Sequence, residues 1–144
     1  MSRRLARELA LKILYGYECG LDSLPELIAG VLGKKNYKNG VKNYCRELVT
    51  KTINHLSEID RMIIEVLKNW NYERVSLIDK LILRMGTCEI LYFPDIPNEV
   101  SINEAIEIGK KYGSEESGKF INGVLDAVKK RRKEKEENEG RNNQ

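Results

Sequence analysis

Arginines and a tyrosine share one edge of the first predicted helix, at the start of the chain. Arg4 and Arg7 stand one turn apart with Arg3 beside them, and Tyr15 follows two turns further along the same edge. An arginine holds phosphates or stacks on bases, and a tyrosine ring offers a flat face to an unpaired base. This combination favours single-stranded RNA. The residue types leave a second interpretation equally open, in which the arginines form a solvated helix face and Tyr15 packs at the core boundary.

Residues for catalysis or metal binding are sparse. His55 is the only histidine, and no acid or cysteine accompanies it at ligand spacing, so a structural role is favoured. Gly33 and Lys34 do not complete a P-loop, because the spacing from Gly30 is short and no Ser or Thr follows the lysine. We therefore predict a binding module without catalytic residues, metal site or cofactor.

The three cysteines, Cys19, Cys45 and Cys88, are widely spaced and form no C-x-x-C pair. Their odd number and spacing indicate neither a disulfide framework nor a zinc site. Reduced and mostly buried thiols are the expected state.

Composition suits one helix-rich domain of 144 residues, with 41% hydrophobic and 33% charged residues. No apolar run approaches the roughly 20 residues that span a bilayer, and the N-terminus lacks a signal-peptide core, so we expect a cytoplasmic protein. The net charge of +3 is too small to prove nucleic-acid binding, but cations concentrate at the two ends of the chain. The second concentration, residues 129–133, is explained better as the basic end of a helix.

Helical periodicity dominates throughout, which predicts an all-α protein of six or seven helices. The periodicity of residues 3–19 predicts the first helix, whose apolar face is expected to pack in the core. Tyr17 lies within that face, and Leu11 lies on the edge beside it. A second helix begins near Leu24 with Pro25 in its first turn, and residues 33–40 form a polar loop. The apolar pattern of residues 41–70, which ends at Trp70, exceeds an ordinary helix length. A break near residues 55–58 is plausible, with Ser57 and Asp60 as an internal cap, and one helix or two remain open.

A helix is predicted at residues 77–92, and Pro94 and Pro97 break the helical pattern after it. Two further helices follow, with clear signals for where they start and stop. Ser101 is the predicted N-cap of the first, with Glu104 reaching back as in a capping box, and Gly113 ends it. Ser114 is the predicted cap of the second. The turn region carries acids, a lysine and an exposed-looking phenylalanine.

The amino-acid sequence of several segments resembles that of the NusB family of transcription antitermination factors. The C-terminal resemblance lies in VSINEA at 100–105, KYGSEES at 111–117 and KFINGVLD at 119–126. The first helix agrees through RRLARELA at 3–10 followed by Leu14 and Tyr15, and the middle through DKLILR at 79–84 followed by Glu89 and Ile90. The resemblance covers about residues 3–130.

For the fold, the resemblance implies a NusB-like domain at residues 1–132 made of two packed three-helix subdomains. The subdomains would occupy about residues 1–70 and 71–132. The polar, charged tail at residues 133–144 is expected to be disordered.

For function, the resemblance implies a non-enzymatic antitermination factor. It would bind single-stranded boxA-like RNA of ribosomal RNA operons, pair with NusE, a small-subunit ribosomal protein, and act with other Nus factors on elongating RNA polymerase. The implied RNA-binding residues are Arg3, Arg4, Arg7, Tyr15, Lys119 and Phe120. Insertion of Phe120 into the core beside Val124 is the alternative for that residue.

Periodicity leaves Asp79, Glu116 and Glu73 outward, which ordinary solvation explains on its own. By resemblance, Tyr15, Asp79 and Glu116 border the groove that receives NusE, and an acidic rim would attract a basic partner. The chain departs from many family members at Leu5, where an arginine is common, and at Gly118, where a basic or histidine side chain is common. These departures predict weak affinity for RNA alone.

Two alternatives come from other classes. A NusB-like domain also precedes the catalytic domain of some RNA cytosine methyltransferases, but such an enzyme needs a Rossmann-like domain downstream, and this sequence ends in a polar tail at Gln144. A purely protein-binding helical adaptor would show no affinity for RNA.

Overall fold

The computed structural model describes residues 3–68 and 71–142, which contain seven α-helices and a 3₁₀-helix at Tyr72–Arg74. The all-α prediction is confirmed, and the described residues contain seven α-helices, the higher of the two predicted numbers. The α-helices are α1 (Arg3–Glu18), α2 (Leu24–Leu32), α3 (Asn39–Asn54), α4 (Leu56–Val66), α5 (Leu77–Tyr92), α6 (Asn98–Tyr112) and α7 (Glu115–Asn142). Within the described ranges no helix is both long and apolar enough to cross a membrane.

The chain divides into two compact units, residues 1–56 and 57–144. The units part where α3 ends and α4 begins. The first unit contains three helices and the second contains four. Trp70, the last residue of the long apolar pattern, lies outside the described residues.

In the first unit, α1 packs against both α2 and α3, so its buried face is wide. Leu11, predicted beside the core face, is buried, whereas Tyr17, predicted within it, is 42% exposed. The prediction for Tyr17 is therefore wrong. Ser23 caps α2 by accepting a hydrogen bond from the Glu26 amide at 3.4 Å, and the predicted proline lies in the first turn.

The long pattern forms two helices that part at His55, the C-cap of α3, within the predicted region. The predicted cap is wrong, because α4 already begins at Leu56 and includes Ser57. Asp60 instead binds Arg84, with Oδ1 accepting from Nε at 2.9 Å and Oδ2 from Nη2 at 3.1 Å. Asp60 Oδ1 also accepts a hydrogen bond from the Tyr72 hydroxyl at 2.7 Å, which joins the 3₁₀-helix to α4.

In the second unit, α5 is buried from residue 81 to residue 90 and packs against α6 and α7. Two glycines permit close helix packing. A Cβ at Gly86 would lie 2.6 Å from Leu125 Cδ1, and a Cβ at Gly109 would lie 2.5 Å from Ile121 Cδ1. Both distances are shorter than real Cβ contacts, so a side chain at either glycine would force the facing leucine or isoleucine to move.

The start of α6 corrects the predicted capping box. The carbonyl of Pro97 accepts the first helical hydrogen bonds, from Val100 at 3.0 Å and Ser101 at 3.3 Å, so the helix begins one turn earlier. Ser101 is consequently inside the helix and 1% exposed, and Glu104 is not at a capping position. The predicted end of α6 at Gly113 is confirmed. So is the Ser114 cap of α7, whose Oγ accepts a hydrogen bond from the Ser117 amide at 3.2 Å.

The helix α7 continues to Asn142, through most of the segment for which composition predicts disorder. Ion pairs support the helix as far as Glu136. Arg132 pairs with Glu136 one turn later at 3.1 Å, and Lys135 pairs with Glu65 of α4 at 3.1 Å.

Candidate nucleic-acid interface

The predicted arginines of α1 do not share one environment. Arg4 is exposed, Arg3 is half-buried, and Arg7 is only 3% exposed. The guanidinium carbon of Arg3 lies 4.9 Å from the centre of the Tyr44 ring, and that of Arg7 lies 5.6 Å from it. Two arginines therefore stack with one buried tyrosine of α3, an arrangement in which each contact contributes about 0.5–2 kcal/mol.

This geometry separates two roles on the predicted edge. Arg4 and Tyr15, which is 41% exposed, can reach a ligand in solvent. Arg7 is anchored between α1 and α3 and holds the position of Tyr44, which in turn supports Arg3. Periodicity placed Tyr44 among the apolar residues of α3 and gave no sign of this support. Lys12, which the sequence analysis did not single out, is also exposed on α1.

In the second unit, the first turns of α7 border a cavity of about 790 Å³. Its wall comes from the end of α4, the 3₁₀-helix, the start of α5 and the start of α7, and the lining residues are Val66, Leu67, Lys68, Arg74, Val75, Ser76, Asp79, Ser114, Glu116, Ser117, Lys119, Phe120, Gly123 and Val124. Phe120 is half-buried in this wall, between the two predicted extremes of full exposure and core insertion. Val124, its proposed core neighbour, is buried.

The charged residues at the start of α7 are well solvated. The side chains of Lys119 and Glu116 are 77% and 85% exposed, and their charged groups lie 3.8 Å apart. Such an exposed pair contributes little to stability, so both groups remain available to a ligand.

Asp79 is turned inward rather than outward. Its Oδ2 accepts a hydrogen bond from the Ser117 hydroxyl at 3.2 Å, and its amide donates to the Ser76 hydroxyl, the cap of α5, at 3.2 Å. Its Oδ1 is buried and has no hydrogen-bond partner among the described residues. Asp79 thus joins the start of α5 to the first turn of α7, and Lys119 and Phe120 lie in the turn that follows.

The basic cluster at residues 129–133 is largely paired with acids. Lys130 contacts Asp126 at 3.1 Å, and Lys129 lies 3.6 Å from both Glu99 and Asp126. The hydrogen bond from Lys130 lowers the pKa of Asp126. These pairs support the structural interpretation of the cluster.

Arg131 and Arg132 of the cluster are bound to α4 and α5. Arg131 lies 3.3 Å from Glu65, and Arg132 donates to the carbonyl of Ile90. The hydrogen bond from Lys135, followed by that from Arg131, lowers the pKa of Glu65.

The cysteines offer no metal site. Cys45 and Cys88 are buried, as expected, but Cys19 is exposed. Burial raises the pKa of Cys45 to about 12, so this thiol stays protonated near neutral pH. Within residues 3–68 and 71–142, no group of three or more His, Cys, Asp or Glu side chains could hold a metal ion.

Comparison with known proteins assigns the chain to a family. The NusB family model matches residues 4–130, which is most of both units. The chain belongs to the NusB family. It is 42% identical over 134 residues to the transcription antitermination protein NusB of Fervidobacterium nodosum, covering 93% of this chain and 94% of that protein. It is 43% identical to the NusB protein of Thermodesulfovibrio yellowstonii, covering 90% and 93%.

Solved structures agree with the sequence comparison. NusB of T. maritima superposes with a TM-score of 0.83 at 38% identity, covering 90% of this chain and 92% of that one. A chain from a crystal structure of the antitermination factors NusB and NusE in complex with double-stranded RNA superposes with a TM-score of 0.80 at 31% identity, covering 89% and 96%.

Proposed function

We propose that this protein is a transcription antitermination factor that binds boxA-like RNA of ribosomal RNA operons together with NusE. One observation carries the proposal. Nearly the whole of this chain superposes on nearly the whole of one chain from a structure of NusB and NusE in complex with RNA. The factor would join an elongating RNA polymerase with other Nus factors, in the cytoplasm, and leave catalysis to the polymerase.

The RNA contacts of the first unit are assigned to the solvent-facing side chains of α1. Arg4 is exposed and can neutralise a phosphate, and the exposed ring of Tyr15 can stack on an unpaired base. Arg3 contributes a cation whose direction is constrained by Tyr44. Arg7, because it is buried, acts by positioning Tyr44 and Arg3 rather than by touching RNA.

The contacts of the second unit are assigned to the start of α7. Lys119 supplies an exposed cation, and Phe120 presents part of its ring beside the cavity. For NusE, Glu116 and Tyr15 are the exposed candidates. Asp79 supports the partner surface indirectly, since its carboxylate holds Ser117.

Fluorescence anisotropy with a labelled boxA-like RNA tests the proposal. The protein is titrated alone and with purified NusE, and a scrambled RNA of the same length is the control. We expect weak binding alone, tighter binding with NusE, and preference for the boxA-like sequence in both cases. Absence of RNA binding in the presence of NusE would leave the protein-binding adaptor as the better interpretation.

A further inference from the structure

The connection between α2 and α3 is the most one-sidedly charged part of the chain. Residues 27–46 contain no Asp or Glu, and they contain five cations: Lys34, Lys35, Lys38, Lys42 and Arg46. Lys34, Lys35 and Lys38 are exposed. These three lysines have no acidic partner in the part of the chain that the structure describes, in contrast to the paired cations of α7.

This basic connection lies at the same end of the first unit as the N-terminus of α1. Arg3, the first residue of α1, stacks on Tyr44, which follows the N-cap Lys38 of α3 by six residues. At about 1.5 Å of rise per residue, the start of α3 is only about 9 Å further along its axis. The first residue of α1 and the N-cap Lys38 of α3 are therefore neighbours, and their cations lie close together.

The backbone on both sides of the lysines is fixed by hydrogen bonds. The Gly33 amide donates to the Ala29 carbonyl at 2.9 Å, and the Tyr37 amide donates to the Lys35 carbonyl at 3.0 Å. A Cβ at Gly33 would lie 2.7 Å from the Ala29 oxygen, so this turn needs glycine. The lysines project from an ordered turn, and Tyr37 between them is half-buried.

We propose that Lys34, Lys35 and Lys38 form a second RNA contact, named here the basic end, which binds the sugar-phosphate backbone. It would hold the RNA strand where it continues past the short element bound by α1. The proposal rests on the proposed function, because Arg3 and Arg4 must bring the strand to this end of the unit.

The chemistry of the basic end fits a nucleic-acid backbone better than a protein. Lysines are hydrated point charges that bind phosphates without reading sequence. The exposed residues of the connection are polar or glycine, so it offers no apolar anchor of the kind that dominates protein interfaces. The basic end should therefore add affinity and salt dependence, and leave the sequence preference unchanged.

The test compares two RNAs and three proteins. The RNAs are a short boxA-like element and the same element extended by flanking single-stranded nucleotides on both sides. The proteins are the wild type, the triple variant K34Q/K35Q/K38Q, and a charge-matched control at the far end of α7, K130Q/K133Q/K135Q. Dissociation constants are measured over a series of salt concentrations, and circular dichroism verifies the helix content of each variant.

The wild type should bind the extended RNA more tightly and with a steeper salt dependence than the short RNA. The triple variant should lose that gain, with a slope of log affinity against log salt shallower by about 2, or roughly 0.7 for each lysine. Its binding of the short RNA should change little. The control should keep the wild-type slope on both RNAs.

The outcomes separate the two proposals. Two results would contradict the proposed role of the basic end and leave the proposed function intact. In the first, the wild type binds the short RNA but gains no affinity when the RNA is extended. In the second, the triple variant keeps that gain in affinity. If the wild type binds neither RNA, with or without NusE, both are overturned. If the triple variant loses NusE and keeps both RNAs, the basic end is a protein interface.

Discussion

At the scale of single residues, the same residue type serves two purposes on α1. Arg4 faces solvent, whereas Arg7 is buried and stacks with Tyr44. A motif of arginines at helical spacing shows which helix carries the chemistry. It does not show which arginine is a contact, because that depends on a partner ring from a different helix.

Replacing Arg4 and Arg7 separately should therefore give different results. Arg4→Ala should weaken RNA binding, reduce the slope of log affinity against log salt by about 0.7, and change the melting temperature less than Arg7→Ala does. Arg7→Ala should lower the melting temperature, because it removes a buried stacking contact. Arg61→Ala, at an exposed arginine of α4, is the matched control. Equal behaviour of the Arg4 and Arg7 variants in both assays would contradict the division of roles.

Phe120 should contribute to both RNA binding and stability. Phe120→Ala should lose about 1–3 kcal/mol of RNA binding if a base stacks on the ring. Its melting temperature should fall less than that of Phe93→Ala, because Phe93 is 4% exposed and Phe120 is half-buried. Removal of a fully buried phenylalanine costs about 3–5 kcal/mol of unfolding free energy. Thermal unfolding and RNA titration of both variants provide the measurement, and a larger loss of stability for Phe120→Ala would place its ring in the core.

At the scale of elements, the sequence predicted the helices well and their junctions less well. The strong apolar periodicity of α5 and the Gly113 and Ser114 signals were sufficient to define those elements. The start of α6 was missed, because Ser101 satisfies a capping pattern locally while Pro97 supplies the first acceptor. The predicted cap formed by Ser57 and Asp60 was wrong for a related reason. Asp60 binds Arg84, which is distant in sequence.

The bond between Asp79 and Ser117 should order the first turn of α7. Ser117→Ala should increase amide hydrogen exchange at residues 115–120, and Ser117→Thr, which keeps a hydroxyl, should restore protection. A double-mutant cycle that combines Ser117→Ala with Asp79→Ala should show coupling, because each change removes the same hydrogen bond. Asn122→Ala, at an exposed polar residue of α7, is the control, since it leaves both the helix cap and the Asp79–Ser117 bond in place. Purely additive effects of Asp79→Ala and Ser117→Ala would exclude the coupling.

The end of α7 should lose stability in acid. The pKa of Glu65 is lowered by the folded-state hydrogen bond from Lys135, so its stabilising contribution is present above the ordinary value of about 4.5. That contribution is lost as the pH falls through the lowered pKa of the folded state. Circular dichroism between pH 7 and pH 2 should therefore show a smaller loss of helix in Glu65→Gln than in the wild type. Identical titration curves would show that Glu65 does not couple α7 to pH.

At the scale of the whole molecule, the sequence alone was sufficient to predict the family and the fold class. It could not place the charges in three dimensions. The basic residues 129–133 and the connection between α2 and α3 look alike as strings of cations, yet most of the first group is paired with acids and the exposed lysines of the second are not. Only the fold distinguishes them, because the acids concerned come from other turns and other helices.

Association with NusE should depend on Glu116, which is exposed, rather than on Asp79, which is half-buried and bound to Ser117. Glu116→Lys should slow association most at low salt, since electrostatic steering of a basic partner is screened by ions. Glu107→Lys, on α6, is the matched comparison, because Glu107 is exposed and also pairs with a lysine three residues later, at 3.7 Å. Stopped-flow association rates over a salt series provide the measurement. Equal rates for wild type and Glu116→Lys at every salt concentration would remove Glu116 from the partner surface.

The unequal environments of the thiols have a practical consequence for labelling. Cys45 and Cys88 are buried, and the raised pKa of Cys45 suppresses its nucleophilic thiolate, whereas Cys19 is exposed. The Cys19 amide donates to the Tyr15 carbonyl at 3.0 Å, so this thiol lies one helical turn from the tyrosine. A maleimide dye should therefore attach to the unmodified sequence at one position beside α1. The dye would report binding events there by fluorescence, with no engineered cysteine.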